Sequence, residues 1–168
     1  MTKHHTSFNG TLTALDAYLD AGLPVSKANV GFAFYVKWFR VKQAQQGPEL
    51  GRKTVLMEDP VTGRDLGWAG AFAWGDVVPE EFKSSFERAK QYGQYDDIAG
   101  GYYYLDEEQN LWWSWDTPEA ILAKKELVQE RGVGVFAWGL GEDSWEWRHL
   151  QALNEVVDEI PAWIRDEL

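Results

Sequence analysis

Two apolar runs of strand length, near opposite ends of a 168-residue chain, set the strongest limit on what this sequence can fold into. The first, Val30-Gly31-Phe32-Ala33-Phe34-Tyr35-Val36, lies in a stretch from Asn29 to Phe39; the second is Val133-Gly134-Val135-Phe136-Ala137-Trp138. Neither alternates cleanly between apolar and polar residues, the pattern of strands covered on both faces, as in a parallel sheet. Helical signals surround both. Ser7 or Asn9 caps a segment over 11–21 with Leu12, Leu15 and Leu19 on one stripe, ended by Gly22 and Pro24. Thr117-Pro118-Glu119 starts a helix expected to run to Arg131 and close at Gly132. Asp143 or Ser144 caps a last helix with Leu150, Leu153, Val157 and Ile160 inward. Outside the middle of the chain the order is that of βα units, which implies parallel strands.

Residues 41–115 read as an α+β insertion within a single domain spanning 1–168. Val41 to Gly51 is a polar loop, Pro60 and Gly63 mark a turn, and an aromatic stretch runs from Trp68 to Trp74. Pro79-Glu80-Glu81 opens a helix with Phe82, Phe86 and Ala89 on one face, stopped by Gly93. Tyr102–Leu105 and Leu111–Trp115 form a hairpin, so Trp113 and Trp115 share one face and Trp112 points to the other, all three in core packing. The insertion follows the first strand, at the C-terminal edge of the parallel sheet, where α/β folds place their ligands.

Composition narrows the function classes. With 16 basic and 27 acidic side chains the formal charge is −11, which argues against a nucleic-acid binder. No apolar run approaches the roughly 20 residues that span a bilayer, and the chain has no cysteine for disulfides or thiolate sites. Its start is no signal peptide, so a cytoplasmic location is expected if Met1 is the natural start. His4, His5 and His149 are scattered, and nothing calls for a metal or another cofactor. Arg165-Asp166-Glu167-Leu168 has the form of a retrieval tetrapeptide, with a polar helix end the plainer reading. What stands out is 10 Trp, 7 Tyr and 8 Phe. Indoles pack in cores, and they also stack flat, half-apolar ligands such as sugar rings.

Several motifs, in order, resemble glycoside hydrolase family 18, the chitinase family. Gly132-Val133-Gly134-Val135-Phe136-Ala137-Trp138, followed by Glu142-Asp143, is similar to its last barrel strand. Trp115-Asp116-Thr117-Pro118-Glu119 resembles the start of the preceding helix, and Tyr102-Tyr103-Tyr104 an upstream strand. Asn29 to Phe39 looks like the seventh strand of the fungal members, and Lys3-His4-His5-Thr6 like the segment after the sixth. The resemblance implies an α/β fold: part of a (β/α)8 barrel, strands seven and eight with flanking helices in 1–40 and 116–168, and a chitinase-type insertion in 41–115.

The resemblance also implies what the chemistry requires. The family's acid lies in an Asp-x-x-Asp-x-Asp-x-Glu run on strand four and protonates the glycosidic oxygen while the substrate's own N-acetyl group attacks. No Asp of this chain has that spacing, and the strand-six Met-x-Tyr-Asp pattern is missing. Tyr95-Asp96 reads as a solvated turn, and Asp106 and Glu108 as a hairpin tip in water, where nothing raises a carboxyl pKa. No catalytic residue is assigned, and the chain alone is expected not to hydrolyse chitin. Binding of chitin or N-acetylglucosamine oligomers is carried over to Trp138, the floor beneath the sugar, with Tyr35, Trp74 and Asp96 as further candidates. Core packing is the plainer alternative for each of the aromatic candidates. Uncovered strands are expected to drive self-association into a homo-oligomer. Two readings stand beside this one: a glycosidase whose catalytic half comes from another chain, and a purely structural protein.

Overall fold

The computed structural model describes residues 1–43 and 46–158; Ile160 and Arg165–Leu168 lie outside the described residues. The helices are α1 (Phe8–Asp20), α2 (Glu80–Tyr92), α3 (Pro118–Ala123), α4 (Lys125–Arg131) and α5 (Arg148–Asp158). The strands are β1 (Asn29–Ala33), β2 (Tyr35–Arg40), β3 (Ala69–Ala73), β4 (Gln94–Asp96), β5 (Gly101–Asp106), β6 (Leu111–Trp115) and β7 (Gly134–Trp138).

β1 and β7 pair in parallel, Asn29 opposite Gly134 and Ala33 opposite Trp138. The remaining strands form an antiparallel sheet in the order β3-β2-β6-β5-β4. The stretch from Asn29 to Phe39, expected as one strand, is therefore two strands in two sheets. The chain changes partner at the fully buried Phe34: its N–H still donates to the Trp138 carbonyl at 2.9 Å, while Tyr35 already stands opposite Ala73. The insertion sheet thus begins at Tyr35, ahead of residue 41.

One core lies between a single face of the parallel pair and the helices. Val30, Phe32 and Val133 meet Leu15 of α1, Ile121 of α3, Leu127 and Val128 of α4, and Leu153 and Val156 of α5. The opposite face is open: Asn29 and Gly31 are exposed, and Phe136 and Trp138 keep 43% and 63% of their surface. Burial on both faces, expected from the lack of alternation, is met on one only, because the packed helices lie on one side.

Ser7 caps α1, its Oγ accepting the Gly10 N–H, and Gly132 closes α4 in the left-handed conformation that favours glycine. The helix expected over 117–131 breaks at Lys124, where the backbone flattens and the side chain turns inward to Asp116. α2 lays Phe82, Phe86 and Ala89 on the antiparallel sheet against Trp38, Trp113 and Trp115. The Trp113 indole N–H donates to Ser85 Oγ at 2.8 Å within that layer. Trp112 projects to the other face, with Val41 and Leu105, and its indole N–H donates to the Lys3 carbonyl. The alternation expected for the three hairpin indoles is the one observed.

Two polar expectations are corrected. Asp106 is 1% exposed rather than in water, because Arg88 of α2 reaches it at 2.6 Å and it also accepts the Glu108 and Gln109 N–H groups. Tyr95 and Asp96 lie in β4 opposite Tyr102 and Gly101, not in a solvated turn.

Candidate functional site

The C-terminal end of the parallel pair gathers the site. Trp138 ends β7 with its indole largely in solvent, the Phe136 ring edge-on to it at 6.3 Å. Phe136 lies across β1 because Gly31 offers no side chain: a Cβ there would stand 2.8 Å from the ring. The Trp138–Gly139 peptide is cis, and a short 3-10 turn, Leu140–Glu142, follows. Glu142 secures that turn, its Oε2 accepting the Gly139 N–H at 2.9 Å and its carbonyl accepting the Trp74 N–H at 3.0 Å.

Tyr35 starts β2 two residues beyond Ala33, the pairing partner of Trp138, so these two candidates belong to the same end of the molecule. Its hydroxyl lies 3.0 Å from His5 Nε2. Burial, with the nearby charges of Lys37 and Lys124, lowers the His5 pKa to about 4, leaving a neutral ring at neutral pH. Burial and the negative charges of Glu142 and Asp116 push the Tyr35 hydroxyl above its ordinary value, so it keeps its proton.

The other two candidates face elsewhere. Trp74 reaches the site through its backbone only; its ring packs 6.0 Å from Phe86 and stacks 5.5 Å from His149. There it lines a separate groove of about 610 Å³ with Pro118, Leu122 and Ala152. Asp96, in β4 at the edge of the insertion sheet, accepts from His4 Nε2 at 2.8 Å and from the Ile98 and Ala99 N–H groups. The His4 hydrogen bond leads the effects that hold its carboxyl below the usual range. Asp96 thereby ties the N-terminal segment to the insertion sheet.

Sequence reasoning missed a buried ionic network linking the two halves of the fold. Lys124 Nζ meets Asp116 Oδ2 at 2.6 Å, and His149 sits between Asp143 Oδ1 at 2.6 Å and the Asp116 carbonyl at 3.0 Å. Burial pushes the Asp116 carboxyl above its ordinary range against the pull of Lys124. Burial also raises Asp143, but the Leu150 N–H, the His149 ring and further backbone N–H groups outweigh it and hold the carboxyl low. One signal was available: Lys124 occupies the inward stripe between Ile121 and Val128, where a lone cation needs a buried partner. Among the described residues, no group of three or more His, Asp or Glu side chains is placed to hold a metal ion, and no helix is long and apolar enough to cross a membrane.

A parallel pair backed by helices on one face, with an antiparallel insertion springing from the end of one strand, defines part of an α/β barrel. Solved structures share it. The multi-modular cell-surface chitinase of Paenibacillus sp. strain FPU-7 superposes with a TM-score of 0.64 at 20% identity, over 93% of this chain and 17% of that one. A chitinase of Rhizomucor miehei gives 0.61 at 18% identity, over 88% and 43%. A family 18 chitinase of Cycas revoluta, solved in complex with (GlcNAc)3, gives 0.54 at 17%, over 83% and 36%. Residues 1–143 match the model of glycosyl hydrolases family 18, and the chain belongs to that family. Among curated relatives it is 27% identical over 148 residues to a probable endochitinase of Orgyia pseudotsugata multicapsid polyhedrosis virus, covering 88% of this chain and 24% of that protein. It is 28% identical over 130 residues to endochitinase 1 of Metarhizium robertsii, covering 77% and 26%. The chain thus spans about a quarter of the length of these curated relatives.

Proposed function

We propose that this chain forms one wall of a binding site for chitin oligosaccharides and does not cleave the glycosidic bond by itself. The observation that carries this reading is the indole of Trp138, 63% exposed at the C-terminal end of a barrel strand in a family 18 chain. A flat indole offers its face to the C–H side of a pyranose, and its N–H can reach a hydroxyl. The absence of cleavage by this chain alone is supported by its sequence, which holds no Asp-x-x-Asp-x-Asp-x-Glu run of the kind that carries the family's acid. A general acid needs a carboxyl free to carry and deliver a proton near neutral pH.

Calorimetric titration with (GlcNAc)3 is expected to give weak, saturable heat that Trp138→Ala removes, while a fluorogenic chitobioside stays at the background rate. Cleavage that survives removal of contaminating chitinase overturns the proposal, and so does an unaltered titration of the Trp138→Ala protein.

A second reading, part of a glycosidase whose acid lies elsewhere in a longer protein or on another chain, is favoured by the quarter-length match to the endochitinases. Turnover appearing only when a partner segment is present would select it. In the first reading the outer edges of β1 and β7 have no neighbouring strand among the described residues, and unpaired edges promote association. Self-association through those edges, which leaves the Trp138 indole free for a sugar, is therefore part of the proposal. Light scattering should report a dimer or larger species, and a clean monomer at micromolar concentration counts against this part.

A further inference from the structure

We infer that Glu142 is a specificity-determining residue of the Trp138 shelf, selecting ligands that present a hydroxyl or amide N–H at the sugar edge; this rests on the binding reading above. The carboxylate is held from two directions. Its backbone is fixed by the Glu142 N–H to the Gly139 carbonyl and by the Trp74 N–H to its own carbonyl, both at 3.0 Å. Its side chain is fixed by the Gly139 N–H at Oε2. The N–H it grips belongs to the residue immediately after Trp138, and its negative charge is felt by the Tyr35 hydroxyl, so the group belongs to the same end of the fold as both candidates.

Only one of its oxygens is used. Among the described residues Oε1 makes no hydrogen bond, and Glu142 is half-buried, so water or a ligand fills that oxygen. A pyranose stacked on an indole directs its equatorial O–H and acetamido N–H groups sideways, to where a neighbouring acceptor can meet them. An acceptor already fixed loses little freedom on binding, which is what makes such a contact selective.

The test uses the whole chain and (GlcNAc)3 as probe, titrated calorimetrically at pH 7 against the wild type, Glu142→Gln and Trp138→Ala. The Gln amide oxygen can still accept from Gly139, so the turn and the melting temperature are retained while the anionic acceptor is lost. A charged hydrogen bond of ordinary strength predicts about tenfold weaker binding at pH 7. Equal affinity for wild type and Glu142→Gln overturns the inference while leaving the shelf intact. Unaltered binding by Trp138→Ala, or none by the wild type, overturns the shelf and with it the role of Glu142.

Discussion

Lys124 Nζ lies 2.6 Å from Asp116 Oδ2, and the two side chains keep only 2% and none of their surface in water. The pair joins the break between α3 and α4 to the end of β6, so it spans the boundary between the barrel helices and the insertion sheet. The Phe32 ring lies 5.8 Å from the ammonium.

Removing one partner strands the other. Lys124→Met is expected to destabilise the fold by about 3–5 kcal/mol, the usual cost of leaving a buried charge uncompensated. Urea unfolding measures it. The double change with Asp116→Leu should recover much of the loss, and a Lys124→Met protein as stable as wild type would show that the pair does not bind the two halves together.

His5 makes stability depend on pH in a defined window. Its folded pKa of about 4 lies below the ordinary 6.5, so between those values the unfolded chain holds a proton that the folded chain does not. The contribution is fully present above pH 6.5, declines as pH falls through the window, and levels off below about pH 4. The difference in unfolding free energy between pH 7 and pH 4.5 should shrink in His5→Gln, read from denaturant midpoints.

Two glycines with close neighbours should respond differently to alanine. At Gly93 a Cβ would lie 2.5 Å from the Trp115 ring and 2.7 Å from the Ala89 carbonyl oxygen, in a packed layer that cannot yield. Gly93→Ala is expected to cost about 1–3 kcal/mol. At Gly31 the obstacle is the outer end of the Phe136 ring, which can swing into solvent, so Gly31→Ala should cost less than about 1 kcal/mol. Thermal melts of the two variants rank them.

Ser85→Ala deprives the fully buried Trp113 indole of its acceptor and should cost about 1–3 kcal/mol. A melting temperature equal to wild type would mean that the N–H finds another partner.

The hairpin was legible because alternation alone decides which indoles share a face; α1 and α3 carry recognisable caps, and α2 and α4 end at recognisable glycine stops. The change of sheet at Phe34 was not, since an unbroken apolar run carries no mark of where pairing moves from one partner to another. Lys124 broke a helix through a tertiary partner, and Asp106 was buried by an arginine from another element. Such contacts lie beyond any local pattern. The same holds for the site: the resemblance singled out Trp138, whereas the Glu142 anchor depends on a turn whose geometry appears only in three dimensions.

The uneven distribution of indoles leaves the molecule with a built-in optical probe. Trp112 and Trp113 are sealed from water, whereas Trp138 and Trp145 keep 63% and 84% of their surface in it. Iodide will extinguish the red-shifted emission of the wet rings and leave the blue component of the dry ones. Any guest settling on Trp138 should therefore shield part of the quenchable light, and occupancy can be followed without attaching a dye.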